Sequence, residues 1–507
     1  MKSTICFALL FLVSAANAAG SSCEDLARLN LPNTQITAAT VVAKGAFPAP
    51  RGRNGQVQNA ALFQNLPDFC RVALTLRPSA DSDIKVEVWL PQEGWNGRLQ
   101  ATGNGGFGSS IGINDLAQSV AGGYAAAVTD TGNGGSGATM IGHPEKLIDW
   151  GYRAVHEMTV TAKALITARY GTPAKFAYWN SCSTGGRQGL VAAEYYPEDF
   201  DGLAIGDAAN PMTRNQASTL FSNLAMNKDA ASLMAPEKWA AYRKAVIEKC
   251  DALDGLKDGI LNNPLACKFD PKEMLCRNGD REDCLTAPQL AALNKVLAGM
   301  KNPRTGEQLH PGWPIGTVPA NFVTGPTPET VAVDTFRALF NNAGWDYHTM
   351  DFDKDIARAD QLGGHVIDAA DPARLGKLFA RGGKILFYHG WDDPSITPLQ
   401  AINYYTRAVA TNGGRARTDN SIRLFMLPGL GHCGQYFDKM PVITAWVEQG
   451  KAPDRIVASY SQLGAGQSVV PEANRSRTRP VCPYPQVPKY NGSGSIDDAA
   501  NFSCGAP

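Results

Sequence analysis

Residues 179–186 read Trp-Asn-Ser-Cys-Ser-Thr-Gly-Gly and lie between a short apolar run and the helical run Leu190 to Tyr195. A strand, a sharp turn and a helix in this order are typical of a nucleophile elbow, which exposes the hydroxyl of its central serine. Small residues two positions before and after that serine let the chain bend, and Ser181 and Gly185 stand there. The segment alone is also typical of an ordinary loop, but it makes Ser183 the candidate nucleophile.

Two later motifs supply the partners that a serine nucleophile requires. The apolar run Lys384 to Tyr388 continues into His-Gly-Trp-Asp-Asp-Pro, and the run Ile422 to Leu427 is followed by Gly-His-Cys at 431–433. Serine, acid and histidine in this order are the order of α/β-hydrolases. Each motif also follows a predicted strand, at the edge where parallel sheets bind ligands.

The base and the acid of this triad are chosen from four residues. His432 would accept the serine proton, and a carboxylate would hold its imidazole in the correct tautomer. We assign the carboxylate to Asp393, with Asp392 as the alternative. His389 precedes the acid in the chain, so we assign it a supporting role.

Short apolar runs recur along the chain and predict strands and helices in alternation. Residues 84–90 alternate apolar and polar side chains, which predicts an antiparallel opening strand with one buried face. Residues 155–166 carry apolar side chains at helical spacing, which predicts an amphipathic helix on the sheet. Together the runs predict an α/β sandwich. The predicted parallel strands are Tyr124 to Thr129, Phe176 to Trp179, Leu203 to Ile205, Lys384 to Tyr388 and Ile422 to Leu427.

Residues 211–381 break this alternation. They are rich in Pro, Gly, Cys and Asp and have long stretches without strand-like alternation, so we interpret them as an inserted lid domain. The catalytic domain then comprises residues 19–210 and 382–507. Its tail from Val470 onward is rich in Pro, Asn and Ser, which predicts an irregular segment stapled by Cys482 and Cys504.

Residues 1–18 have the pattern of an export signal. Lys2 supplies the positive charge, residues 5–13 the apolar stretch and Ala16-Asn17-Ala18 the cleavage site, so a secreted or periplasmic protein is expected. No run approaches the ~20 apolar residues of a membrane-spanning helix, so membrane insertion is not expected. Lys+Arg and Asp+Glu both total 47, which argues against a nucleic-acid partner and favours a small substrate.

The cysteines predict a disulfide framework. Of 11 cysteines, Cys6 belongs to the signal, which leaves 11 − 1 = 10, and none has the CxxC spacing of a zinc site. Cys182 and Cys433 each adjoin a triad candidate, and a disulfide requires Cα atoms about 5.5 Å apart. A bridge between them would bring Ser183 and His432 together, whereas two unrelated buried thiols are the alternative.

With this constellation, the chain resembles the tannase and feruloyl esterase family of α/β-hydrolases. The family carries a Cys-Ser, Asp, His-Cys arrangement in which a disulfide joins the neighbours of the nucleophile and the histidine. Its acid motif places Pro after the acid, which matches Asp393 and not Asp392. The resemblance runs from about Cys23 to Cys504 and implies an α/β-hydrolase sandwich with a large inserted lid, stapled by disulfides. The matching residues are Cys182-Ser183, Asp393 and His432-Cys433.

The resemblance implies a full set of disulfides and a structural calcium site. Three aspartates among the glycines of residues 250–260 are typical of a solvated turn, but calcium also favours such oxygen ligands. This loop resembles one that, in the family, binds a structural calcium ion far from the catalytic residues. The implied ligands are the side chains of Asp251, Asp254 and Asp258 and the carbonyls of Leu256 and Ile260. The implied bridges are Cys182–Cys433, Cys23–Cys70, Cys250–Cys267, Cys276–Cys284 and Cys482–Cys504.

Residues 103–108, Gly-Asn-Gly-Gly-Phe-Gly, form a turn with accessible backbone N–H groups. The turn lacks the lysine and the spacing of nucleotide-binding loops, and the chemistry requires no redox cofactor, so neither kind of cofactor is expected. In a hydrolase such a loop supplies one oxyanion donor, and the residue after the nucleophile supplies the other. We nominate the backbone amides of Gly106 and Thr184.

The resemblance implies a serine carboxylic ester hydrolase for aromatic esters, working through an acyl-enzyme. The esters would be feruloyl (hydroxycinnamate) or galloyl, attached to plant polysaccharide or tannin. A relative that hydrolyses mono-hydroxyethyl terephthalate carries an acidic residue in place of Thr184, so this alternative ranks last. From other classes, a non-catalytic binding protein is disfavoured by the intact triad, and an acyltransferase by the lack of a carrier-binding segment. Several aromatic side chains are candidates for an apolar slot around the acyl group, and each of them alone is more typical of a core residue. They are Phe336, Phe340, Trp345, Tyr347 and Trp391.

Overall fold

A nine-stranded sheet lies at the centre of the computed structural model, which describes residues 20–52, 55–108, 110–461 and 476–507. The predicted export signal, residues 1–18, lies outside these ranges. The strands are β1 (Thr34–Val42), β2 (Phe69–Leu76), β3 (Ile84–Pro91), β4 (Arg98–Thr102), β5 (Ala125–Thr129), β6 (Phe176–Cys182), β7 (Gly202–Gly206), β8 (Met300–Lys301), β9 (Gln308–His310), β10 (Lys384–Gly390), β11 (Ile422–Leu427), β12 (Ile456–Ser459), β13 (Thr478–Val481), β14 (Val487–Tyr490) and β15 (Phe502–Gly505).

The strand order across the sheet is β1-β2-β3-β5-β4-β6-β7-β10-β11. Strands β1, β2, β3 and β5 pair antiparallel, whereas the pairs from β5 to β11 are parallel. Parallel neighbours require crossover connections, which helices provide here. The carboxyl ends of β6, β7, β10 and β11 therefore share one edge, where the candidate site lies.

Helices lie on both faces of the sheet, which confirms the predicted α/β sandwich. The predicted helix at 155–166 lies within α4 and buries its apolar side chains. The helices are α1 (Ala60–Gln64), α2 (Ile113–Ala121), α3 (Pro144–Ile148), α4 (Ala154–Tyr170), α5 (Thr184–Tyr195), α6 (Met212–Met226), α7 (Pro236–Cys250), α8 (Ala287–Ala298), α9 (Asn321–Thr324), α10 (Thr330–Leu339), α11 (Lys354–Ala359), α12 (His365–Ile367), α13 (Leu375–Ala380), α14 (Pro398–Thr411), α15 (Arg415–Thr418) and α16 (Lys439–Gln449).

Strand β3 differs from its prediction. It is antiparallel, but β1 and β2 precede it, and both of its faces are buried because helices cover both sides of the sheet. Trp89 is fully buried against Phe69, and its indole N–H donates to the buried carboxylate of Glu87. Only Lys85 of this strand is exposed. Alternation of apolar and polar residues therefore does not prove that the polar face is exposed, because a polar residue such as Glu87 can be buried with a hydrogen-bond partner.

The segment 211–381 lies between β7 and β10 and is mainly helical. Much of it packs into two apolar clusters, one around Tyr242 and one around Phe336. The cluster around Phe336 also contains Phe107, Trp150 and Ile396, which lie outside the segment. Its end, with Leu375 and Leu378, packs into the core of the sheet. The segment places helices beside the edge of the sheet where the candidate site lies. Its interpretation as a lid domain stays a prediction.

The C-terminal tail contains regular structure. Strand β13 pairs with β12 and β14 pairs with β15, so the expectation of an irregular tail was wrong. Five disulfides join the same cysteine pairs that the family resemblance implies. Within the described ranges, no helix combines the length and the apolar character that crossing a bilayer requires.

Candidate active site

Ser183 lies at a sharp turn between β6 and α5, with φ 62° and ψ −126°. A positive φ is strained for a non-glycine residue and persists only where surrounding contacts enforce it. Here the Ser183 N–H donates to the carbonyl of Gly206 at 3.0 Å, and its carbonyl accepts the N–H of Ala209 at 3.1 Å. A Cβ at Gly185 would lie 1.9 Å from Ser181 Oγ, so the turn requires glycine there. The local structure is the predicted elbow.

His432 and Asp393 form a hydrogen-bonded pair at the same edge. His432 Nδ1 donates to Asp393 Oδ2 at 2.8 Å. The other carboxylate oxygen, Oδ1, accepts the N–H groups of Ser395 at 2.8 Å and Ile396 at 3.0 Å. Because Asp393 is fully buried, these donors hold the carboxylate in one orientation. The imidazole is thereby fixed through Nδ1, so Nε2 is the ring nitrogen that would accept a proton from Ser183.

The charges of this pair support each other. Burial alone would raise the pKa of Asp393, but His432 and His389 outweigh it and hold that pKa well below its usual range. Burial alone would lower the pKa of His432, but the negative charge of Asp393 and its hydrogen bond raise it to about 9. The site is therefore suited to stabilise an imidazolium, which a histidine base becomes during catalysis.

The structure distinguishes Asp393 from its competitor. Asp392 forms two hydrogen bonds with the guanidinium of Arg243, at 2.9 and 2.6 Å, and does not face His432. His389 is fully buried, and its Nε2 lies 3.1 Å from Asp393 Oδ2. His389 thus contacts the same carboxylate oxygen as the predicted base, and its supporting role stays a prediction.

The bridge between Cys182 and Cys433 ties the nucleophile turn to the histidine loop. The two Cα atoms lie 5.8 Å apart, across 251 residues of sequence. Ser183 and His432, the neighbours of these cysteines, line one cavity of about 200 Å³. The triad thus lies at a single site, although the catalytic role of each member stays a prediction.

The nominated oxyanion donors line this cavity too. Thr184 is the first residue of α5, where backbone N–H groups have no partner within the helix. Gly106 adopts φ 55°, a conformation that favours glycine. The cavity is lined by Gly106, Ser183, Thr184, Ala209, Met212, Asn215, Gln216, Phe322, Glu329, Val331, Ser395, Ile396 and His432.

The aromatic candidates for a substrate slot pack in the core, which is the alternative that the sequence favoured for each of them. Phe336, Phe340 and Trp345 pack against one another with ring centroids 5.3 to 5.8 Å apart, and Tyr347 packs against the same cluster. Trp391 is buried in the core of the sheet. The described lining of the cavity instead contains one aromatic side chain, Phe322.

Two acidic residues near His432 were not identified from the sequence. Asp207 follows β7 directly, and the rule that ligand-binding residues follow parallel strands could have identified it. Glu329, which precedes α10, is half-buried and lines the cavity. Burial raises the pKa of Glu329, and the charge of His432 lowers it. No sequence pattern marks Glu329.

The loop implied as a calcium site carries acidic groups that lack basic partners. Asp251 accepts the N–H of Gly259 and Asp254 that of Leu256, each at 3.1 Å, and within the described chain neither forms an ion pair. Burial, together with the charge of Asp258, raises the pKa of Asp254 to about 6. Asp258 itself pairs with Arg477 and Arg479. Asp251 and Asp254 therefore leave carboxylate oxygens available to a divalent cation, whereas Asp258 is engaged by two arginines. Among the described residues, the three carboxylates do not all lie within 4.8 Å of one another, and the calcium site stays a prediction.

Sequence comparison identifies relatives over the full length of the fold. The family model described as "Tannase and feruloyl esterase" matches residues 70–505. The chain is 36% identical to an uncharacterized esterase of Xanthomonas campestris pv. campestris, over 96% of this chain and 91% of the relative. It is 30% identical to the "Probable feruloyl esterase B-2" of Aspergillus terreus, over 96% and 95% of the two chains.

Structure comparison agrees. The crystal structure of feruloyl esterase B from Aspergillus oryzae superposes with a TM-score of 0.85 at 28% identity, covering 95% of this chain and 99% of that one. A tannin acyl hydrolase from Aspergillus niger has a TM-score of 0.76 at 20% identity, covering 94% and 92%, and shows the shared fold. The chain therefore belongs to the tannase and feruloyl esterase family and is a carboxylic ester hydrolase.

Proposed function

We propose that the protein is a secreted or periplasmic serine esterase that cleaves feruloyl or galloyl esters through an acyl-enzyme. The observation that carries the chemistry is the His432–Asp393 hydrogen bond at a cavity that Ser183 also lines. The five disulfides support export, because such bonds persist in oxidising compartments.

The proposed reaction has two halves. Ser183 Oγ attacks the ester carbonyl while His432 accepts its proton, and the backbone amides of Gly106 and Thr184 stabilise the resulting oxyanion. His432 then protonates the departing alcohol, which leaves the acyl group on Ser183. In the second half, His432 removes a proton from water, the hydroxide attacks the acyl carbonyl, and the acid departs as Ser183 regains its proton.

The cavity favours an aromatic acyl group that carries hydroxyls. Phe322, Met212 and Ile396 supply apolar contacts, and Asn215 and Gln216 supply polar atoms. The carboxylate of Glu329 has no hydrogen-bond donor among the described residues. It would accept hydrogen bonds from phenolic hydroxyls and would repel the carboxylate of a terephthalate monoester. This contrast supports the phenolic esters, which the names of the feruloyl esterase relatives also favour.

Replacing Glu329 by Gln tests this substrate class. We expect kcat/KM for methyl ferulate and methyl gallate to fall about tenfold, the value of one hydrogen bond to a charged group. For the mono-hydroxyethyl terephthalate anion, kcat/KM should rise because the like charge is gone. Steady-state rates on the three esters give the comparison. The control is Glu307→Gln, which removes an exposed carboxylate. The same ranking of esters in Glu329→Gln and wild type would contradict the assignment.

We also propose that calcium stabilises the loop 251–260. Asp251, Asp254 and Asp258 with the carbonyls of Leu256 and Ile260 would hold the ion, whose binding energy would favour the folded loop. At 100 times its Kd, a ligand stabilises the native state by about 2.7 kcal/mol. We therefore expect EGTA to lower Tm by several degrees, added CaCl₂ to restore it, and kcat at 25 °C to stay unchanged.

The calcium prediction is checked by differential scanning calorimetry on matched variants. Asp251→Asn combined with Asp254→Asn should abolish the response of Tm to calcium. Asp283→Asn, which alters an exposed carboxylate near Cys284, should keep the response. A wild-type Tm that is the same in EGTA and in CaCl₂ would exclude the site.

A further inference from the structure

Asp207 lies at the carboxyl end of β7, fully buried and with φ 40°. Its two carboxylate oxygens accept backbone N–H groups from two different loops. Oδ1 accepts the N–H of Gly390 at 2.9 Å, and Oδ2 accepts the N–H of Cys433 at 2.9 Å. Burial and the charge of Asp393 raise the pKa of Asp207, whereas His389, His432 and the Gly390 N–H act to lower it. Because both oxygens accept backbone N–H groups, these contacts favour the ionised carboxylate.

The two donors belong to the loops that present the acid and the base. Gly390 ends β10, three residues before Asp393, and Cys433 follows His432 directly. One side chain from β7 thus ties the end of β10 to the loop after β11. The Cys182–Cys433 bridge fixes the histidine loop to the nucleophile turn, and Asp207 fixes it to the acid loop.

Asp207 also lies within electrostatic reach of the imidazole. One carboxylate oxygen of Asp207, one of Asp393 and a ring nitrogen of His432 all lie within 4.8 Å of one another. His389 Nε2 lies 3.9 Å from Asp207 Oδ1. Other charged groups near this cluster are Glu329 across the cavity and Lys439, whose charge interacts with Asp207.

We infer that Asp207 is a positioning residue of the active site, which holds the His432 loop against the Asp393 loop and supplies a second negative charge beside the imidazolium. The inference rests on the proposed serine mechanism. Because the imidazolium forms only as Ser183 is deprotonated, a charge that stabilises it acts mainly in the transition state. Removing the charge should therefore lower kcat more than it changes KM.

The test is Asp207→Asn in the full chain, assayed with methyl ferulate across pH. A carboxylate at this distance raises the pKa of a histidine, so its removal should lower the midpoint of the acid limb of kcat/KM by about one pH unit. The midpoint moves to lower pH because His432 acts as a base only when it is neutral. Without the negative charge of Asp207, His432 loses its proton at a lower pH. We expect kcat on the plateau to fall about tenfold, the factor that one pKa unit represents.

A matched variant separates positioning from folding. Asp199 is another buried aspartate of this domain, and it accepts a hydrogen bond from His156 at 2.9 Å. Asp199→Asn should lower Tm and leave the midpoint of the acid limb unchanged. The same midpoint in Asp207→Asn and wild type, or an equal shift in Asp199→Asn, would overturn the inference.

A second substitution at the same position keeps the test possible if Asp207→Asn does not fold. Asp207→Ser keeps a hydroxyl acceptor near Cys433 N–H and removes the charge, so it should shift the acid limb as Asp207→Asn does. Loss of folded protein in both variants would assign Asp207 to the fold and would also overturn the inference. A Ser183→Ala variant measured alongside tests the serine mechanism itself, so the two failures are distinguishable.

Discussion

Ser183→Ala should reduce kcat for p-nitrophenyl acetate roughly 10⁴- to 10⁶-fold, the range found when a triad serine is removed from other hydrolases. The hydroxyl is the proposed attacking atom, and the alanine variant keeps only the oxyanion donors and the cavity. The release of p-nitrophenol gives the rate. Mass spectrometry of quenched wild type should show an acyl group on the peptide that contains Ser183, and the variant should lack it.

The control for this variant is another buried serine of the same domain. Ser119 Oγ donates to the carbonyl of Asp115 within α2, and Ser119 is not one of the residues that line the cavity. Ser119→Ala should change Tm slightly and kcat by less than a factor of about two, as is usual for a substitution outside the site. Equal rates for wild type and Ser183→Ala would refute the serine esterase proposal.

The elbow and the order of the triad were predictable because their signals are local. The turn at Ser183 requires only small neighbours, and Gly185 shows why, since a Cβ there would meet Ser181. The strands before Asp393 and His432 are short apolar runs, so the edge on which both residues lie followed from strand direction. The disulfide pairing came from the family resemblance, and the structure contains the same pairs.

The contacts of Asp207 were not predictable in this way. They join β7 to Gly390 and Cys433, which become neighbours only when β7, β10 and β11 assemble. The aromatics of the inserted segment illustrate a second limit. Phe336 and Phe322 are both apolar residues on or near short helices, and only packing determines that Phe336 is buried while Phe322 reaches the cavity. Burial of Glu87 in β3 likewise depends on Arg71 from the neighbouring strand.

Asp393→Asn should lower kcat about 10⁴-fold, the effect of the equivalent change in other triads, where the amide favours the wrong imidazole tautomer. Asp393 Oδ2 accepts a hydrogen bond from His432 Nδ1 at 2.8 Å. An asparagine has one oxygen in place of the two that the four surrounding donors contact here, so its NH2 group would face donors. The variant should fold, because the amide has the same shape, and its Tm is measured alongside the rate.

Asp392→Asn is the matched control, since it makes the same chemical change one residue earlier. Asp392 pairs with Arg243, and both side chains are nearly buried, at 13% and 12% exposure. Breaking a buried pair costs about 3 kcal/mol of stability, so Tm should fall while kcat stays within about threefold of wild type. The two variants thus distinguish a carboxylate that acts in catalysis, Asp393, from an adjacent one that stabilises the fold, Asp392. If Asp392→Asn lost kcat as Asp393→Asn is expected to, the assignment of the acid would be wrong.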